Sequence, residues 1–187
     1  MASLLHADTR MLRAIKKKPF PWYLLEGLLF ENGYQAVVLY RVASWFKRHG
    51  IPFFGPLFAR LSLFLTGVDV APGAVIGPGL LVSHGVGLVI GDRVRIGANA
   101  VLLHQVTIGA PDRSRVAEMP VVGDNVYVGA GARLIGAITV GDNVIIGANA
   151  VVTEHVPADT RLTVRQDLEA KRQRLESPSG VDLESSG

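Results

Sequence analysis

The sequence predicts a mainly β protein, a parallel β-helix of hexapeptide repeats preceded by a short α-helical region. Three patterns carry that expectation. Aliphatic residues recur every six positions from residue 67 onward, glycine becomes frequent over the same stretch, and the apolar residues before it fall at helical spacings.

The helices come first, over residues 1–66. Helical patterning runs through residues 23–30, 34–48 and 56–65, punctuated by Gly33, Gly50 and Pro52. In the middle segment Val37, Val38, Tyr40, Arg41, Ala43, Ser44, Trp45 and Lys47 alternate faces as an amphipathic packing helix does.

The β-helix is expected over residues 67–157. Its clearest register is Val122, Val128, Leu134, Val140, Ile146 and Val152; a second is Ile90, Ile96, Leu102 and Ile108; a third is Val70, Ile76, Val82 and Leu88. Four residues after each member of the first run comes another small or aliphatic residue, such as Val126, Ala132 or Val144. Offsets of four and six are both even, so on an extended strand these side chains share one face. Each hexapeptide is thus a short strand with one buried face. Gly123-Asp124-Asn125 and Gly141-Asp142-Asn143 suit the positive φ of a corner. Three sides make an 18-residue coil, and about five coils stack at roughly 4.8 Å. The register slips by two between Leu88 and Ile90, and the interval of fourteen from Ile108 to Val122 holds a polar, non-repeating loop over 109–121. Loops on rigid scaffolds tend to carry function. The tail, 158–187, loses the repeat; a charged helix over 166–175 and a disordered end are expected there.

Composition excludes several classes. With no cysteine among 187 residues there is no disulfide, thiolate metal site or cysteine nucleophile, and a cytoplasmic setting is the expectation. The net charge of +3 is modest and the basic residues are scattered apart from Lys16, Lys17 and Lys18, so no nucleic-acid partner is expected. The N-terminus lacks a signal-peptide pattern. Residues 51–68 are apolar but carry Pro52, Pro56 and Arg60, which suits a packed or peripherally membrane-touching helix better than a spanning one.

The stretches TGVDVAPGAVIGPGLLVSHGVGLVIGDRVRIGANAVLLHQVTIG and VGAGARLIGAITVGDNVIIGANAVV, with the helix GYQAVVLYRVASWF before them, resemble the serine acetyltransferase family over roughly residues 21–157. The SHGVGLVIG segment following Asp69 is the most specific part. The resemblance implies left-handed coils, acetyl-CoA as donor and a homotrimer with active sites between neighbouring β-helices. It also places the catalytic base at His84 and the carboxylate that orients it at Asp69. From the residues alone His84 is an outward corner histidine, for which a plain surface role is the alternative. The chemistry needs such a group because an alcohol is a poor nucleophile at neutral pH. An imidazole of ordinary pKa about 6.5 can take the alcohol's proton and return it to the departing thiolate.

The family's pantetheine contacts correspond to Gly129, Ala130 and Ala148. His104 falls one coil after His84 once the slip is counted, and the two imidazoles are expected on one outward face. His155 is too far along the stack to complete a metal triad, and no metal is expected. The acceptor side departs from the family. Its loop motif Asp-Arg-His-Pro reads Ala117, Glu118, Met119 and Pro120 here, its Asp before the base is Ser83, and its helical Asp-Pro is Lys18-Pro19. Glu118 facing a carboxylate at roughly 4 Å would repel it by about 4 kcal/mol at an effective dielectric near 20. Arg113 and Arg115 are the available replacement cations. The primary expectation is therefore an O-acetyltransferase whose acceptor is a sugar or other small molecule. Genuine serine acetylation through a rearranged loop is the alternative, and a non-catalytic trimeric scaffold the reading from another class. A lone trimer, and no docking of the C-terminus into cysteine synthase, complete the expectations.

Overall fold

The structure, a computed structural model, describes residues 1–17, 19 and 21–163; the expected tail helix over 166–175, the C-terminal end and Lys18 lie outside them. Four helices open the chain: α1 (Ala2–Lys16), α2 (Trp22–Phe30), α3 (Asn32–Arg48) and α4 (Phe54–Thr66). Helix α1 is a fourth helix that the sequence reading did not separate. Helix α3 is amphipathic as its spacing predicts, burying Gly33, Ala36, Val37, Tyr40, Arg41, Ala43 and Ser44. Phe46 stacks on Phe54 and Phe58 to join α3 to α4. Gly67 closes α4 in the left-handed conformation, its N–H donating to Leu63 O.

Fourteen short strands follow, β1 (Asp69–Val70), β2 (Val75–Ile76), β3 (Leu81–Ser83), β4 (Val89–Ile90), β5 (Arg95–Ile96), β6 (Val101–Leu103), β7 (Thr107–Gly109), β8 (Val121–Val122), β9 (Tyr127–Val128), β10 (Arg133–Ile135), β11 (Thr139–Val140), β12 (Ile145–Ile146), β13 (Val151–Val152) and β14 (Arg161–Leu162). They form three parallel sheets in the orders β1-β4-β7-β10-β13, β11-β8-β5-β2 and β14-β12-β9-β6-β3. Every third strand pairs with the next, so the chain coils around a triangular core as a parallel β-helix, the architecture whose left hand the family resemblance implies. Leu88, Val94, Ala100, Leu102, Val106, Ile108, Val128, Ala132, Leu134, Val144 and Ile146 fill its axis with no exposure. At one corner Asn99, Asn125 and Asn143 all have φ between 56° and 57°. Their side-chain amides donate up the stack, Asn99 to Asn125 at 3.0 Å, Asn125 to Asn143 at 3.1 Å and Asn143 to Asp159 at 2.9 Å. Residues that tolerate positive φ thus also supply a polar ladder where the backbone turns. Strand pairing continues past Pro157 to β14, and residues 110–120 leave the coil between β7 and β8.

The structure relocates the two-residue slip. In the first coil Val82 and the next inward aliphatic residue, Leu88, are six apart, whereas the corresponding Leu102 and Val106 of the second coil are four apart. Leu88 therefore sits just before β4, as Val106 sits before β7, and the extra residues lie in the corner 83–87. That corner has two left-handed residues, His84 (φ 54°) and Gly87 (φ 77°), where the next coil has only Gln105 (φ 58°).

The helices are fastened to this first coil by polar groups. Arg41 and Asp8 are each 1 % exposed. Arg41 Nε donates to Asp8 Oδ2 at 2.9 Å, and its terminal nitrogens donate to Ile76 O and Gly77 O, both at 2.6 Å. Asp8 Oδ1 accepts from Leu80 N–H at 2.8 Å. Tyr40 OH donates to Ala74 O at 2.8 Å. Gly33, expected as punctuation, lies inside α3 where a Cβ would run into the carbonyl of Val82, so it lets the helix approach β3.

Candidate active site

His84 follows β3 at the widened corner, and its ring is exposed. A non-glycine residue with positive φ is uncommon and persists where its surroundings over-determine it. Here Gly85, packed inward against Val82 and Val68, and the ladder bond from Gly87 N–H to Gly67 O at 2.8 Å fix the corner on both sides. Asp69 lies on β1, the strand that the corner leads past: Asp69 N–H donates to Leu88 O at 2.9 Å, and Asp69 pairs with Val89 of β4. The corner and β1 bring His84 and Asp69 to the same end of the β-helix, both exposed, without a hydrogen bond between them.

His84 also lines a cleft of about 180 Å³ between the helices and the first coil, with Asp8, Leu12, Lys16, Glu31, Tyr34, Val37 and residues 80–83. Its walls follow from the contacts above. The Asp8–Arg41 pair seats α1 and α3, Thr9 Oγ1 lies 2.8 Å from Tyr34 OH, and Lys16 Nζ donates to Glu26 Oε1 at 3.2 Å and to Glu31 Oε1. These two glutamates raise the Lys16 ammonium above its ordinary pKa, against a smaller opposing effect of burial. Ser83 is part of the lining.

His104 occupies the expected place. Ser83 pairs with Leu103 across β3 and β6, so His104 follows one coil above His84. It is half-buried, with its Nδ1 sealed from solvent and unpartnered among the described residues. His155 is engaged elsewhere, its Nδ1 accepting from Thr139 N–H at 2.9 Å. No three His, Asp or Glu side chains converge as a metal site among the described residues.

The protruding loop is organised around Asp112, which caps the 3-10 turn Arg113–Arg115. Its carboxylate accepts from Ser114 N–H at 2.8 Å and Arg115 Nε at 2.9 Å, and the Ser114 and Arg115 bonds lower its pKa to about 2. Arg115 lies 3.6 Å from Glu118 as well. Arg115 and Glu118, expected beside the acceptor, are thus paired with one another, and Arg115 also with Asp112. Met119 packs against the β-helix core, its sulfur over Gly91. Of the loop residues, Arg115, Glu118 and Met119 do not line the cleft that holds His84, and the side chain of Arg113 lies outside the described ones.

At the other end of the stack, a Cβ on Gly129 would come within 2.6 Å of Ala148 N, so glycine is demanded there by coil spacing. Ala130 O accepts from Asn149 N–H at 2.8 Å, while the N–H groups of Ala130 and Ala148 donate to no described protein atom. Small, partly exposed residues with unpaired N–H groups fit the amides of a pantetheine arm.

Residues 119–154 match the bacterial transferase hexapeptide model (six repeats), and residues 86–110 the hexapeptide repeat of succinyl-transferase. A serine acetyltransferase of Helicobacter pylori is 39% identical over 145 residues, covering 78% of this chain and 85% of the relative. The chain belongs to the serine acetyltransferase family. Another serine acetyltransferase, from Synechococcus elongatus, is 39% identical over 159 residues; these span 85% of this chain and 64% of that longer relative. Serine acetyltransferase structures superpose well. The one from Neisseria gonorrhoeae in complex with serine gives a TM-score of 0.76 at 28% identity, covering 87% of this chain and 66% of that one. The one from Brucella abortus in complex with coenzyme A gives 0.77 at 29% identity, covering 87% and 65%.

Within that family the residues that sequence reasoning missed are Asp8, Lys16 and Glu31. The available signal was only that Asp8 and Lys16 fall eight residues apart on one helix.

Proposed function

We propose that this protein is an acetyl-CoA-dependent O-acetyltransferase acting on the hydroxyl of L-serine. The observation that carries the reading is His84, held at positive φ by a corner wider than that of the coil above and lining a small cleft. Membership of the serine acetyltransferase family supports serine over the sugar acceptor expected from the loop substitutions, and the cleft of about 180 Å³ is small for a sugar nucleotide.

In this reading His84 accepts the proton of the serine hydroxyl as its oxygen bonds to the thioester carbonyl carbon. The tetrahedral adduct then collapses, the C–S bond breaks, and the coenzyme A thiolate takes the proton from the imidazolium. Asp69 stabilises and orients the charged imidazole. The two side chains come into contact in the substrate complex, where catalytic hydrogen bonds commonly tighten. Ala130 and Ala148 hold the pantetheine arm through their N–H groups, while Gly129, buried with both backbone groups bonded within the coil, lets the coils approach beside them. The working unit is a homotrimer in which a neighbouring β-helix closes the donor side.

Thiol release from acetyl-CoA, measured with L-serine beside sugars and nucleotide sugars, tests the reading. Turnover with serine is expected; release with a sugar and none with serine would restore the other acceptor class.

A further inference from the structure

If serine is the acceptor, its charged ends need partners, and the described side chains of the loop do not provide them. Arg115 is engaged by Asp112 and Glu118, Met119 is packed on the coil, and Ser83 carries no charge. The cleft itself holds a cation and a carboxylate. Lys16, on the last turn of α1, and Glu31, between α2 and α3, line it together with Ser83 and His84.

Resting on the proposed serine reading, we propose that Lys16 and Glu31 form the zwitterion-binding subsite of this enzyme, Lys16 taking the acceptor's α-carboxylate and Glu31 its α-ammonium. The hydrogen-bond inventory allows it. An ammonium has three donors, and Lys16 uses two, on Glu26 and Glu31, which leaves one for a carboxylate. A carboxylate offers about four lone-pair sites, and the Lys16 bond occupies one of those on Glu31. The side chains of Lys16 and Glu31 are 20% and 35% exposed, so ligand can reach groups that are already partly desolvated. Partial desolvation strengthens charge-assisted bonds relative to open water.

The balance of charge selects the kind of acceptor. Within the cleft Lys16 is matched by Glu31, and Asp8 is neutralised by Arg41, so the subsite presents one cation beside one carboxylate. It favours a ligand with an ammonium beside its carboxylate over a purely anionic one. The cleft, at about 180 Å³, has room for a small amino acid. The amino-acid contacts that the loop has lost would thus be supplied from the helices, by a lysine and a glutamate on the other wall of the same cleft.

Steady-state thiol release with L-serine, L-serinamide and 3-hydroxypropionate tests this on the parent and on Lys16→Gln, Lys16→Arg and Glu31→Gln. The parent should prefer serine to both analogues. Lys16→Gln should raise the KM for serine about tenfold or more and erase the preference over serinamide, and Lys16→Arg should recover part of the loss. Glu31→Gln should raise it similarly and erase the preference over 3-hydroxypropionate. The KM for acetyl-CoA should stay within about twofold throughout, which separates a lost subsite from a damaged fold. An unchanged KM for serine in Lys16→Gln and Glu31→Gln, or equal losses for both substrates, overturns the assignment while leaving serine acetylation standing. A parent that releases no thiol with serine or either analogue overturns both.

Discussion

The first coil and the later coils use the same strand alternation, but they are held together differently. From β7 upward the coil from β10 to β13 repeats at 18 residues, its interior is wholly aliphatic, and its corners are satisfied by stacked asparagines. The first coil has two extra residues at one corner, and its helices are clamped by a buried Arg41–Asp8 pair and a buried Tyr40 hydroxyl. The lesson is a division of labour: regular repeats give a rigid rod, and the site forms where the repeat is broken and a polar clamp places other elements beside it.

The largest expected effect lies at the broken corner. His84→Ala should lower thiol release with serine by about 10²- to 10⁴-fold, with an unchanged thermal midpoint because the ring is exposed. A parent-like rate would remove the base from the account. Asp8→Ala should come next, destabilising the protein by about 3–5 kcal/mol in denaturant titration, since it strands a guanidinium that is 1 % exposed. A loss no larger than that of a surface change would mean the helices are not clamped as described. Leu134→Ala, in the regular part, should cost about 2–5 kcal/mol by cavity formation while leaving the KM for serine unaltered in the folded protein. A change in that KM would show that the rod and the site are coupled.

The smallest effect belongs to the loop. Asp112 has its pKa lowered from 3.8 to about 2, so its cap is fully present above pH 3.8 and is lost as pH falls through about 2. Protease cleavage within residues 110–120, followed after exposure to graded acid, should rise only in that interval; a rise at higher pH would contradict the cap.

The rod was legible in the sequence because six-residue periodicity repeats a single physical requirement, an apolar side chain facing the axis, many times over. The roles proposed for His84 and Asp69 rest on family resemblance, and the slip signalled an irregularity although the repeat alone put it a few residues late, at Leu88. The clamp and the cleft were not legible. Asp8 and Arg41 are 33 positions apart, and each alone reads as a solvent-facing charge on an amphipathic helix. Lys16 reads as one of a run of three lysines, and only the packing of α1 beside the α2–α3 junction turns it toward Glu31. Long-range polar contacts leave no period behind, so sequence pattern finds the scaffold before it finds the pocket.

The central claim, that the widened corner makes the site, is tested most directly by removing Gly85 and Val86, which returns the first coil to 18 residues. The quantity to measure is the initial rate of thiol release with serine, with circular dichroism reporting that the β-helix persists. The account predicts an intact β-helix whose rate has fallen by about 10²-fold or more, since His84 no longer meets the substrate. A folded variant that keeps the parent's rate would contradict it.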